Sequence, residues 1–139
     1  MKHRRFLTII PITLLLLSAA SYLMSDGSKS FPAATISDNG KLKAVVLTDA
    51  ANNPKAMKEQ KFTYTITDEN GQSVSGAVVD VSLTMPGMFC GVIPTRMTET
   101  SPGTYVAVGI PVMKGNWTAV ASVQAGSDSL RIEHPFHIG

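Results

Sequence analysis

At 139 residues the chain has room for one modest hydrophobic core, and for a single globular domain once its N-terminus is set aside. Its formal net charge of +2 arises in the first five residues: without Lys2, Arg4 and Arg5, nine basic residues face ten acidic ones, a near-neutral balance that argues against nucleic acid as a partner. A single cysteine, Cys90, excludes an internal disulfide.

Lys2, His3, Arg4 and Arg5 form a basic head, followed by an apolar run over 6–24 that is densest at Leu14-Leu15-Leu16-Leu17 and meets no acidic residue before Asp26. A positive head before an uninterrupted apolar stretch is an export signal. Ser18-Ala19-Ala20 offers the small residues a signal peptidase accepts, whereas the uncut run of 19 residues is long enough to cross a bilayer as a signal-anchor helix. The anchor is the preferred reading of 1–24, and both readings put the rest of the chain outside the cytoplasm. The expected product is a single-pass membrane protein with an external domain, or a secreted or periplasmic one if the signal is cut. Residues 25–40 are rich in Ser, Gly, Asp and Pro and read as a flexible tether, with the folded domain over 41–139.

From Lys41 onward the sequence gives short alternating or β-branched runs divided by turn residues, and no long helical periodicity. The runs are 41–48, 60–67, 77–85, 95–99, 104–110, 116–124 and 129–138. They predict an all-β, antiparallel sandwich of about seven strands. Phe62, Tyr64 and Ile66 alternate with Thr63, Thr65 and Thr67, and Val79, Val81 and Leu83 with Asp80, Ser82 and Thr84, as strands do when one face is buried. Asp68-Glu69-Asn70-Gly71, Ser101-Pro102-Gly103 and Lys114-Gly115-Asn116 are turn signals. Residues 50–58 read as a loop. Trp117 and Tyr105 are expected to be core aromatics.

Chemistry is concentrated in Met85-Pro86-Gly87-Met88-Phe89-Cys90-Gly91, which places three sulfur side chains within six positions at the end of a strand. Met85 shares parity with Val79, Val81 and Leu83, so its side chain is expected on the core face and is as much a gap filler as a ligand. Met88 and Cys90 follow Pro86 and Gly87, where the ladder ends and the chain bends. A further sulfur, Met113, lies in the turn before the Trp117 strand. If the two turns share one end of the sandwich, the thioethers and the thiol surround one ion, and such soft donors select Cu(I) over zinc, calcium or magnesium. His134 and His137 stand three apart; pleating sends them to opposite faces unless Pro135 distorts the strand, and both read as edge or C-terminal surface residues.

Leu83-Thr84-Met85-Pro86-Gly87-Met88, Ser101-Pro102-Gly103-Thr104-Tyr105 and Met113-Lys114-Gly115-Asn116-Trp117 resemble, in that order, the signatures of the YtkA-like family of extracytoplasmic domains. The resemblance covers roughly 60–138. That family is similar to the FixH group, associated with assembly of copper-dependent terminal oxidases. The resemblance therefore implies an immunoglobulin-like sandwich and a copper-handling role, with a respiratory oxidase or a copper transporter as partner. Where many members carry Met or His two positions after the second Met, this chain has Cys90, a soft ligand that is also redox-sensitive.

No nucleophile elbow, useful carboxylate pair or glycine-rich phosphate cradle is present, so the chain is not read as an enzyme. Two functions compete. One is a membrane-tethered domain that binds Cu(I) through Met85, Met88, Cys90 and Met113, in oxidase assembly or copper tolerance; the other is a metal-free accessory domain that docks on a membrane complex while its methionines pack. Cys90 as a redox or dimerising thiol is a third.

Overall fold

Strands follow the two-residue rhythm of the sequence. The computed structural model describes residues 30–49, 54–89 and 91–139. Its nine strands are β1 (Ala34–Asp38), β2 (Leu42–Thr48), β3 (Gln60–Asp68), β4 (Val78–Thr84), β5 (Ile93–Pro94), β6 (Arg96–Ser101), β7 (Thr104–Gly109), β8 (Gly115–Ala125) and β9 (Asp128–Ile138). Each of the seven expected runs is a strand, displaced by no more than two residues at either end. The basic head, the apolar run 6–24, the first part of the expected tether, residues 50–53 and Cys90 lie outside the described residues.

Two antiparallel sheets face each other, in the orders β1-β2-β3-β7-β6 and β5-β4-β8-β9. The chain changes sheet three times, after β3, β5 and β7. Phe31–Gly139 forms one unit around the core between the sheets. Phe62, Tyr64 and Ile66 on β3 and Val81 and Leu83 on β4 are buried, and so are Tyr105, Trp117, Ile132 and Phe136. Ala44, Ala107, Ala119 and Ala121 are also buried, leaving room for these larger side chains. Each large apolar side chain so covered stabilises the fold by about 1.5–3 kcal/mol.

Two short strands join the seven expected runs among the described residues. β5 is only two residues long, paired with Ser82 and Leu83, too short for any periodicity to reveal. The tether expected over 25–40 contains β1, whose five residues pair with Lys43 to Leu47. Its alternation is inverted: Ile36 is exposed, while Thr35 and Ser37 are half-buried. Those hydroxyls, with Asn39, lie against β9, the edge of the opposite sheet. Ser37 Oγ donates to the Arg131 carbonyl at 3.0 Å and Asn39 Nδ2 to the Ser129 carbonyl at 2.7 Å. β1 therefore covers backbone acceptors on an edge strand that would otherwise face water or another chain.

At the far end of the sandwich, Tyr105 Oη donates to the Val74 carbonyl at 2.8 Å and accepts from the Ala77 amide at 2.9 Å. Glu99 accepts from Ser75 Oγ at 2.8 Å and from the amides of Gly76 and Gly103. These bonds, the Ser75 hydroxyl first, hold the Glu99 carboxyl below the usual carboxylate range.

Candidate functional site

β4 carries Met85 out of the ladder with its side chain still half-buried against the core, as its parity with Val81 and Leu83 requires. The Met88 amide then donates to the Met85 carbonyl at 3.2 Å, and Gly87 between them has φ +79°. With Pro86 at the second position, this is a type II turn, in which the third position needs a positive φ that glycine adopts without steric cost. The turn places Met85 and Met88 at its two ends, with Cα atoms less than about 7 Å apart. Met88 is 48% exposed and Phe89 wholly so.

Met113 lies in the loop from β7 to β8. Its carbonyl accepts from Trp117 Nε1 at 3.0 Å, and its side chain is half-buried against the core. The two turns do share one end of the sandwich. A methyl group added at Gly115 would lie 2.9 Å from Met85 Cε, so the Met85 thioether reaches across the backbone two residues beyond Met113. Gly115 has φ +130°, which an L side chain rarely adopts. The chain thus keeps the space beneath Met85 open at a position where its own backbone excludes other residues.

Residues 85–92 and 110–115 contain one charged group, Lys114. Among the described residues no group of three or more His, Cys, Asp or Glu is arranged to hold a metal. The sulfur groups of the two described turns are neutral thioethers, donors of the kind that suits a soft monovalent cation, whereas calcium and magnesium need carboxylate oxygens.

The histidines separate as pleating dictates, and Pro135 does not disturb the ladder: Thr118 pairs with Pro135, and Ala119 with His134. Proline is tolerated because β9 is an edge strand, where its missing N–H costs no ladder bond. The expectation that both histidines lie at the surface is corrected for His134, which is fully buried. Its ring meets Phe62 edge-on at 6.3 Å, and Nδ1 lies 2.8 Å from Thr35 Oγ1. Burial lowers its pKa below the ordinary 6.5. His137 is exposed, stacked on Phe31 at 5.7 Å with Nδ1 2.8 Å from Asn116 Oδ1.

Around the sulfurs stands a rim of exposed apolar side chains that sequence reasoning overlooked: Met57, Val92, Ile110 and Val112, with Phe89. The Met57 amide donates to the Pro111 carbonyl at 2.8 Å, joining the 54–59 loop to the Met113 loop. The available signal was the run Ile110-Pro111-Val112-Met113, four apolar residues placed where a turn should be polar.

No protein-family model matches the sequence, and no curated protein does either. Among solved structures the fold is similar to a DUF4426-family protein of Pseudomonas aeruginosa, with 13% identity, a TM-score of 0.56, and coverage of 78% of this chain and 97% of that one. It is similar also to part of a DUF4785-family protein of Legionella pneumophila, with 16% identity and a TM-score of 0.53 over 70% of this chain. The match spans 28% of the length of the Legionella protein. At these identities the likeness bears on the β-sandwich fold alone.

Proposed function

We propose that this protein is an extracytoplasmic, membrane-tethered carrier domain for Cu(I), serving oxidase assembly or copper tolerance. Met88 is the exposed donor of the set, Met85 and Met113 its half-buried thioethers, and Cys90 its thiolate. The observation that carries this reading is the approach of the Met85–Met88 turn to the Met113 loop across Gly115. Thioethers hold a soft ion loosely enough to pass it on, and a thiolate adds affinity. The resemblance of the three turn signatures to the YtkA-like family points the same way, toward a respiratory oxidase or copper transporter as the recipient.

Residues 31–139, which contain the whole core, are the material for the test. Under reducing conditions, Cu(I) should bind in competition with a chromogenic Cu(I) chelator at one ion per chain. Met88→Ala combined with Cys90→Ala should release the ion. If the chelator strips all copper from the parent domain, or the double variant binds as the parent does, the proposal fails and a metal-free accessory domain replaces it.

A further inference from the structure

The Met85–Met113 end differs from the opposite end in charge as well as in apolarity. Phe89, Val92, Met88, Val112, Ile110 and Met57 are all exposed there, in loops 54–59, 85–92 and 110–114. Lys55, Lys58 and Lys114 are exposed in the same loops, and Lys61 and Arg96 stand at the adjoining strand ends. Among the described side chains the acidic ones of this end are Asp49 and Glu59, the latter paired with Arg96 at 3.4 Å. The opposite end holds Asp38, Asp68, Glu69, Glu99 and Asp128 against Lys41 and Lys43.

We propose that this end docks on an anionic lipid bilayer, with Phe89, Met88 and Val92 among the headgroups and acyl-chain ends, and Lys55, Lys58 and Lys114 against lipid phosphates. Exposed aromatic and aliphatic side chains flanked by lysines are the residue set that partitions to such an interface. Chain length argues for the same occupant. Six residues lie between the end of the apolar run 6–24 and Phe31, so seven Cα steps, about 25 Å at most, separate the run from the folded unit. Phe31 enters at the lysine-rich end, where its ring stacks on His137 and the next residues lead into β1. A tether of that length allows this end to reach a bilayer that holds the run. The opposite end lies roughly 35 Å further along the 11 residues of β8. The inference is independent of copper and rests on the N-terminal run as anchor.

The test uses the full chain reconstituted, with a copper chelator present, in vesicles of phosphatidylcholine and phosphatidylglycerol containing acyl-chain-brominated lipid. Phe89→Trp supplies the probe, and Val78→Trp, an exposed apolar site at the opposite end, supplies its control. The buried Trp117 gives a common background and reports that each variant is folded. Emission from the Phe89→Trp probe should shift to the blue and fall roughly by half, as expected for a side chain at headgroup depth, while the Val78→Trp probe stays unquenched. Lys58→Glu with Lys114→Glu should restore emission, as should high salt. A blue shift without quenching would mean that protein, a second copy or another chain, covers Phe89, and would overturn the proposal. So would equal quenching at both probes, or none at either.

Discussion

Thr35 Oγ1 and His134 Nδ1, ninety-nine positions apart, meet at 2.8 Å inside the seam between β1 and β9. The histidine is wholly buried, and among the described residues its Nε2 has no hydrogen-bond partner. Burial disfavours the imidazolium, so the folded state holds His134 neutral at pH values where the unfolded chain protonates it. The unfolded state then binds more protons, and stability falls as pH drops below about 6.5, toward the depressed folded value. Urea midpoints measured from pH 7.5 to 5 should decline for the parent domain and decline less for His134→Gln. Thr35→Val should lose about 1 kcal/mol at pH 7.5 through the bond alone.

Tyr64 is fully buried opposite Tyr105, and its Oη finds no partner among the described residues. Burial pushes its phenol well above the ordinary 10.0. An unpaired buried hydroxyl costs about 1–3 kcal/mol, so its removal should not weaken the fold. Tyr64→Phe is expected to raise the urea midpoint or leave it unchanged. A clear loss of stability would show that the hydroxyl is satisfied in solution.

Gly115→Ala combines an unfavourable φ with a contact of 2.9 Å to Met85 Cε. The expected loss is about 1–2 kcal/mol. Since the Met85 tip is the flexible end of a side chain, Met85→Ala should relieve the contact and leave the backbone cost. A double-mutant cycle on thermal unfolding separates the two, and strict additivity would show that the thioether does not lie over Gly115.

Met88 and Met85 should part company under truncation. Met88 is half exposed, so Met88→Ala should change stability by less than about 0.5 kcal/mol while weakening Cu(I) binding. Met85 packs on the core, and Met85→Ala should lower both, with about 1–2 kcal/mol lost in stability. Chemical denaturation beside chelator competition reads both numbers on the same samples.

The strands that sequence periodicity revealed are those whose buried face is apolar. β1 escaped because its inward positions, Thr35 and Ser37, work by hydrogen bonding, and its one large apolar residue, Ile36, faces water. The nearby Pro135 suggests a surface place for His134, yet the residue shares parity with Leu130, Ile132, Phe136 and Ile138, all buried. The parity was the better guide, since proline on an edge strand leaves pleating intact. At the sulfur site, the core-facing direction of Met85 followed from its strand, whereas its meeting with the Met113 loop depends on three changes of sheet, which local pattern does not encode.

Among the described residues β1 is the first strand and β9 the last, so their seam closes only once β9 is in place. Until then β8 stands as an open edge, with one face of the core uncovered, in the form most prone to pairing with a neighbouring chain. Loss of residues 130–139 would thus do more than shorten a strand: it would strip Thr35 of its partner and expose Trp117 and Ala119 along a raw edge.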